Sequence, residues 1–223
     1  LGQIGWRVET LVGGYQSWRR LVVQAVYDTP VAAPVVVLDG NTGSAKTEVL
    51  NLLPGFGVQV IDLEGLARHR GSLFGSTGPQ ARPVVVEAES SKIGNCRIPP
   101  ELWKAMVAAP RVTIAAPRSA RAAYLTRAYA DLTADSARLA ATVDLLRPMH
   151  PRDRIADWQA LAAAGDFAAL ADNLMERHYD PRYDKHRARM AAPVAEVPAV
   201  RLDEADLPGL AAELARVVRR RTP

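Results

Sequence analysis

The stretch that decides the fold is residues 35–48, Val-Val-Val-Leu-Asp-Gly-Asn-Thr-Gly-Ser-Ala-Lys-Thr-Glu. A β-branched run that stops at Gly40 predicts a buried strand, and the residues from Lys46 onward predict the start of a helix. The turn between them reads Gly-x4-Ala-Lys-Thr, one residue away from the phosphate-binding loop Gly-x4-Gly-Lys-[Ser/Thr]. In such a loop, backbone N–H groups surround an anion and the helix N-terminus adds partial positive charge. We therefore predict an α/β fold of the phosphate-loop (P-loop) NTPase type, with a parallel sheet flanked by helices. The alternative is an ordinary strand–turn–helix corner that contains Lys-Thr.

The residues of this turn are the first candidates for ligand binding. We expect phosphate contacts from Gly40, Asn41, Thr42, Gly43, Ser44, Ala45, Lys46 and Thr47. The Lys46 ammonium is expected to reach the outer phosphates, and the Thr47 hydroxyl is expected to bind Mg²⁺. Ala45 stands where the usual loop has its last glycine. Alanine is acceptable at this position only if φ is negative and its methyl group clears the phosphate.

Charged residues follow a second predicted strand, residues 58–62. Asp62 and Glu64 come at its carboxyl end, where open α/β sheets place their ligand sites. We expect these carboxylates to hold a Mg²⁺-bound water or to act as a base. Four residues that follow are candidates for binding a diphosphate or an RNA backbone, namely Arg68, His69, Arg70 and Ser72. The alternative is a solvated turn with paired charges.

A valine run at residues 84–86 predicts a third buried strand, and acids follow it directly. In phosphate-loop proteins a strand of this kind delivers the second carboxylate on the metal side. Glu87 lies nearer the strand and Glu89 nearer its mouth, and either can serve; Glu87 and Thr47 are the metal candidates. Ser90 and Lys92 are candidates for phosphate or RNA contacts. The alternative is a glutamate that ends a strand and has no metal-related role.

The C-terminal half predicts helices with basic and aromatic residues. Arg118 and Arg121, at i and i+3, share one helix face and are candidates for a lid over a phosphate; a solvated face is the alternative. In residues 177–187, Tyr179 and Tyr183 alternate with Arg and His, a pattern that can stack on bases and bind phosphates. The alternative there is a surface loop packed by its own tyrosines. A short strand at 193–202 and an amphipathic helix at 203–220 complete the chain.

Composition sets the outer limits. The chain has 223 residues, 48% hydrophobic and 23% charged, which is typical of a globular protein. Its net charge of +4 permits a phosphate-rich or nucleic-acid partner. A single cysteine, Cys96, excludes an internal disulfide and indicates a reducing compartment. Since no apolar run approaches about 20 residues and no signal peptide is visible, we expect a cytoplasmic location and no membrane partner. A first residue other than Met suggests a fragment of a longer chain.

Together these segments resemble one family, the tRNA 2-selenouridine synthases. The resemblance rests on the loop at 40–47, on Asp-Leu-Glu-Gly-Leu-Ala-x-His-Arg-Gly-Ser-x-Phe-Gly at 62–75, and on Glu-Ala-Glu-Ser-Ser-Lys-Ile-Gly at 87–94. Ile98-Pro99 and Tyr179-Asp180-Pro181-x-Tyr183 add to it. Residues 8–20 resemble the last strand and helix of a rhodanese domain; the alternative is a generic strand–turn–helix segment. We therefore expect a truncated rhodanese tail and linker at 1–27, a phosphate-loop core at 28–132, and a helical extension with a last strand and closing helix at 133–223.

The resemblance implies an enzyme that acts on the wobble 2-thiouridine of certain tRNAs. The sulfur is first alkylated with a geranyl group from geranyl diphosphate, and the geranylthiol is then displaced by selenium from selenophosphate. Mg²⁺ at the loop would hold the diphosphate, and arginines would stabilise its growing charge. The candidate catalytic residues are then Lys46, Asp62, Glu64, Arg70 and Glu87.

Three features depart from the family pattern. The rhodanese body, with the cysteine on which the selenium step relies, is missing upstream; Ala45 replaces a glycine; and the segment between Gln80 and Arg82 is short. Two other functions remain open. One is a phosphate-loop kinase or NTPase that acts on a nucleotide, and the other is a non-catalytic tRNA-binding module.

Overall fold

A five-stranded parallel sheet forms the centre of the molecule. The computed structural model describes residues 12–68, 83–187 and 193–221. The strands in these ranges are β1 (Val35–Gly40), β2 (Gln59–Ile61), β3 (Val84–Glu87), β4 (Lys92–Ile93), β5 (Cys96–Arg97), β6 (Arg111–Ala115) and β7 (Ala195–Pro198). The main sheet has the order β2-β3-β1-β6-β7 with every neighbouring pair parallel, while β4 and β5 form a separate antiparallel pair. This confirms the predicted fold class.

β1 is the central strand, and all six of its residues are buried. A strand covered on both faces tolerates a continuous apolar run, which explains the Val-Val-Val-Leu sequence. β3 and β6 lie on opposite sides of β1, so the strand order reverses there, and open α/β sheets bind ligands at such a point. The parallel register places Leu38 opposite Glu87. The carboxyl ends of β1 and β3 therefore meet beside the turn at residues 41–45.

Helices cover both faces of the sheet and form a separate bundle. In chain order they are α1 (Gly14–Val23), α2 (Lys46–Leu52), α3 (Leu63–Arg68), α4 (Pro100–Ala108), α5 (Arg118–Ala128), α6 (Ala130–Thr133), α7 (Ser136–Asp144), α8 (Arg152–Ala163), α9 (Phe167–Leu174), α10 (Asp180–Arg187) and α11 (Leu207–Arg221). Short π-helical turns (Gln24–Asp28 and Met175–Tyr179) follow α1 and α9, and 3₁₀ turns (Leu53–Phe56 and Arg147–Met149) follow α2 and α7.

Each sheet face has its own apolar core. On one face, Val49 and Leu50 of α2 and Leu214 of α11 are completely buried against the sheet. On the other face, Leu102 and Met106 of α4 pack with residues of β1 and β3. The strand β7 and the helix α11, which the sequence places with the helical extension, therefore contact β6 and α2 of the sheet layer.

The bundle lies between β6 and β7 in the chain and has a third core. Leu139, Ile155, Trp158 and Leu170, from α7, α8 and α9, are buried together. Pro151 lies directly before α8, and Gly165 (φ +71°) follows the end of this helix. Residues 177–187 are also helical, so the alternative of a surface loop packed by its own tyrosines is wrong.

At the N-terminal end, α1 begins at Gly14, after Gly13 in the left-handed region, and none of its residues is buried. The strand expected just before α1 falls partly on residues outside those described. Residues 69–82, which include the short segment between Gln80 and Arg82, also lie outside the described residues. Within the described part of the chain, no helix combines the length and apolar character needed to cross a membrane.

Candidate phosphate-binding site

The turn between β1 and α2 has the tight geometry of a phosphate loop, with two left-handed residues. Gly43 has φ +81° and Ala45 has φ +57°. The requirement of a negative φ at Ala45 is therefore wrong. The Ala45 carbonyl accepts the Val49 N–H (3.0 Å), so this residue opens the helix, and the chain reaches the helix direction only through a left-handed step. For a non-glycine residue such a step costs about 1–2 kcal/mol.

Gly40 lets the Lys46 side chain run across the loop. A Cβ at Gly40 would lie 2.3 Å from Ser44 Oγ and 3.2 Å from Lys46 Cγ, so the loop closes tightly around a residue without a side chain. Lys46 is 8% exposed, and its Nζ lies 5.3 Å from the centre of the Tyr183 ring. The ammonium group is thus held at the loop beneath an aromatic ring that α10 supplies.

Thr47 and Glu87 meet at the carboxyl ends of the two strands. The Thr47 hydroxyl donates to Glu87 Oε1 at 2.9 Å, and Glu87 is 2% exposed. Burial raises the pKa of Glu87, and the negative charges of Glu64 and Asp62 add to this, while Lys46 and the Thr47 hydrogen bond oppose it. Burial and the charge of Glu87 raise the pKa of Glu89 to about 7. The charges of Lys46, Asp62 and Glu64 therefore all act on Glu87.

Asp62 has a local structural contact as well. Its Oδ1 accepts the Gly65 N–H at 2.8 Å at the start of α3. A carboxylate in this position satisfies a backbone donor that the helix leaves unpaired.

The residues that could hold a metal fit a phosphate-loop magnesium site. Within the described ranges, no group of three or more His, Cys, Asp and Glu side chains could hold a metal by itself. Mg²⁺ bound with substrate phosphates needs only one or two protein ligands, because phosphates and waters complete its octahedron. Thr47 Oγ1 and Glu87 offer such a pair, and the buried Glu87 Oε2 has no hydrogen-bond partner among the described atoms.

An acid that sequence reasoning missed lies next to the loop. Asp39 is buried and accepts hydrogen bonds from the Gly40 N–H (2.7 Å), from Arg111 Nη1 (3.1 Å) and from Arg187 Nε and Nη2 (2.8 and 3.0 Å). Burial acts to raise its pKa, but Arg187, the Gly40 N–H and Arg111 outweigh burial and hold the pKa of Asp39 below its ordinary value. The visible signal was one charged residue inside the apolar run of β1.

Arg121 connects the loop to α10. Its Nη1 donates to the Thr42 carbonyl (3.1 Å), and Nη1 and Nη2 together hold the Asp180 carboxylate (2.9 and 2.8 Å). The helix α5 thus contacts the loop through Arg121, and its role as a lid over a phosphate stays a prediction. Arg118, on the same face, donates instead to Asp172 and Glu176 of the bundle at 2.6 and 3.0 Å.

The other predicted substrate-binding residues either make contacts of their own or lie outside the described residues. Tyr179 packs edge-on against His178, and Ser90 and Lys92 are exposed at the β4–β5 pair. The side chain of Arg68 and the residues His69, Arg70 and Ser72 lie outside the described residues, so their predicted roles stay predictions.

A parallel sheet with a phosphate loop after its central strand, and a carboxylate beside that loop at the end of the neighbouring strand, defines a phosphate-loop α/β domain. The family model described as the tRNA 2-selenouridine synthase AAA domain matches residues 33–83 and 76–145 of this chain. The chain belongs to this family, and the predicted resemblance is confirmed.

Individual relatives agree with the family model. The chain is 31% identical over 152 residues to the tRNA 2-selenouridine synthase of Hahella chejuensis, covering 58% of this chain and 39% of that protein. It is 36% identical over 124 residues to the enzyme of the same name from Pseudomonas syringae pv. tomato, covering 46% and 33%. The Aeromonas salmonicida enzyme is 34% identical over 142 residues, covering 53% and 37%. The chain thus spans between a third and two fifths of the length of these relatives.

Proposed function

We propose that this chain is the part of a tRNA 2-selenouridine synthase that binds geranyl diphosphate and transfers its geranyl group to the wobble 2-thiouridine of tRNA. In the complete enzyme, selenium from selenophosphate then replaces the geranylated sulfur. The observation that carries the proposal is the joint placement of Lys46, Thr47 and Glu87 at one loop. The proposal has two further parts. One is a rhodanese domain upstream, for which the greater length of the relatives leaves room. The other is a cytoplasmic location.

The loop suits a diphosphate leaving group. Geranyl transfer forms a carbon–sulfur bond and breaks the bond between the allylic carbon and the diphosphate oxygen, which departs with the electron pair. The thiouridine loses its N3 proton to solvent as the sulfur is alkylated. Lys46 and the backbone N–H groups of the loop would take up the negative charge that develops on that oxygen. Bound Mg²⁺, held by Thr47 and Glu87, would supply additional positive charge to the diphosphate.

The test is a mass spectrum of 2-thiouridine tRNA after incubation with the chain, Mg²⁺ and geranyl diphosphate. We expect a geranylated nucleoside with the unsubstituted protein. Lys46→Met keeps the aliphatic stem that passes Gly40 but removes the ammonium, so transfer should fall on the order of 10²–10³-fold. Lys104→Met is the matched control, because Lys104 is exposed on α4 and forms an ion pair with Glu101, one turn away on the same helix.

Ligand titrations separate the alternatives. Tight binding of ATP or GTP with no response to geranyl diphosphate would favour a nucleotide kinase or NTPase. Binding of tRNA that survives Lys46→Met, with no turnover in any variant, would favour a non-catalytic tRNA-binding module. Either result would overturn the proposed transferase.

A further inference from the structure

One buried carboxylate beside the phosphate loop is shared by two arginines. Asp39 pairs with Arg111, whose side chain is almost completely buried, and with Arg187, whose side chain is 21% exposed. Asp39 is held ionised by these partners, so the three side chains together carry a net charge of +1. An excess charge this close to a loop that gathers backbone N–H groups calls for an anionic partner.

The three groups are contiguous with Lys46. Asp39 accepts the N–H of Gly40, the first residue of the loop, and the stem of Lys46 passes directly over Gly40. From the other side, the ring of Tyr183 contacts both Lys46 Nζ (5.3 Å) and the Arg187 guanidinium (5.7 Å). Arg187 therefore lies one aromatic ring away from the lysine that faces the phosphates.

One edge of the Arg187 guanidinium is held by Asp39, and the other edge can still donate to a ligand. Its Nε and Nη2 donate to the two oxygens of Asp39 in the paired geometry of an arginine–carboxylate fork. Its Nη1 has only the exposed Asp184 carboxylate at 3.9 Å as an ionic partner among the described residues. Because two hydrogen bonds fix the plane of the guanidinium, the direction of the Nη1 hydrogens is set before any ligand arrives.

We propose that Arg187 is a phosphate-binding residue of this site, oriented by Asp39, which donates through Nη1 to an oxygen of the bound diphosphate. The inference rests on the proposed function, since it takes the loop ligand to be a diphosphate. It adds a residue from the far end of the bundle to the binding set, 148 positions away from Asp39 in the chain. It also gives Asp39 a role as a positioning residue.

The first test measures the affinity of the chain for inorganic diphosphate with Mg²⁺ by calorimetry. Arg187→Met should weaken binding on the order of tenfold or more, because a charged donor to the ligand is lost. In Arg187→Met the Asp39 carboxylate still accepts hydrogen bonds from Arg111 and from the Gly40 N–H. The affinity of Arg187→Lys should lie between those of the unsubstituted chain and of Arg187→Met, because lysine keeps the positive charge but not the paired donors of the guanidinium. Lys185→Met is the matched control, since it removes an equal charge from an exposed position of the same helix and should change affinity less than twofold.

A second measurement uses the unsubstituted chain and does not depend on how a variant folds. Phenylglyoxal modifies arginine, and mass spectrometry locates the adducts. Diphosphate should protect Arg187 from modification and leave Arg177 reactive, because Arg177 is about half exposed and lies outside the loop. Equal modification of Arg187 with and without diphosphate would overturn the inference.

The outcomes separate this inference from the proposed function. One outcome is that diphosphate binds, that Lys46→Met abolishes this binding and that Arg187→Met leaves it unchanged. In that case only the role of Arg187 is refuted. If the unsubstituted chain binds no diphosphate, the proposed function and the role of Arg187 fail together. Weakening by Arg187→Met but not by Lys185→Met supports both.

Discussion

Gly43 lies where the phosphate loop touches the helical bundle, and a methyl group at this position has no space. The residue has φ +81°, and a Cβ there would lie 2.8 Å from Leu125 Cγ and 3.0 Å from the Arg121 carbonyl oxygen of α5. The Arg121 side chain holds Thr42, so α5 cannot withdraw from the loop without losing that contact. Gly43→Ala should therefore destabilise the fold through backbone strain and through overpacking.

Gly165 provides the control that separates the two contributions. It has a similar φ of +71°, but a Cβ there meets nothing within 4 Å. A left-handed alanine costs about 1–2 kcal/mol, of which about 0.4–1 kcal/mol is recovered because alanine restricts the unfolded chain. Gly165→Ala should thus cost about 1 kcal/mol. Gly43→Ala adds an overpacking cost of about 1–3 kcal/mol, so its total should be about 2–4 kcal/mol.

Urea unfolding followed by circular dichroism measures both changes. The midpoints give the differences in the free energy of unfolding, provided that the slopes of the transitions stay equal among the variants. Equal losses for Gly43→Ala and Gly165→Ala would show that the loop and α5 are not in the close contact described, and the reasoning would be refuted.

Two further predictions concern the metal side and the bundle. Thr47→Val should remove the dependence of diphosphate affinity on Mg²⁺, whereas Thr47→Ser should keep it, because the hydroxyl that contacts Glu87 is the group that would bind the metal. Calorimetry with and without EDTA measures this dependence, and an unchanged Mg²⁺ dependence in Thr47→Val would contradict the assignment. Burial, with the charges of Arg182 and His150, lowers the pKa of His178 to about 4, so the folded chain resists protonation that the unfolded chain accepts below about pH 6.5. The free energy of unfolding should therefore fall by about 1–2 kcal/mol between pH 6.5 and 5, and this loss should be smaller in His178→Gln. Urea midpoints at both pH values measure the loss. Equal losses in the unsubstituted chain and in His178→Gln would contradict the prediction.

The central corner of the fold could be predicted because its causes are local. A β-branched run, a glycine turn and Lys-Thr at a helix start specify strand, loop and helix within 35–48. The meeting of Thr47 with Glu87 was also predictable, since the carboxyl ends of neighbouring parallel strands come together at one edge of the sheet.

What escaped prediction depends on contacts between distant parts of the chain. The sequence contains many arginines, and nothing local distinguishes Arg187, which reaches Asp39, from Arg118, which pairs within the bundle. The left-handed conformation of Ala45 was missed because propensity argues against it. The surrounding loop requires it, and tertiary context overrides the preference of one residue.

Three residues of α10, spaced along one face of the helix, contact residues at or beside the loop. Asp180 holds the arginine that binds the Thr42 carbonyl, Tyr183 covers Lys46, and Arg187 holds Asp39. These positions are i, i+3 and i+7, so they share one face of the helix, and that face is acidic, aromatic and basic in turn. A face of this composition is not used for apolar packing. It is explained by the groups that it contacts, which are Arg121, the Lys46 ammonium and the Asp39 carboxylate. The bundle therefore does more than connect β6 and β7, because α10 contributes side chains to the candidate phosphate-binding site.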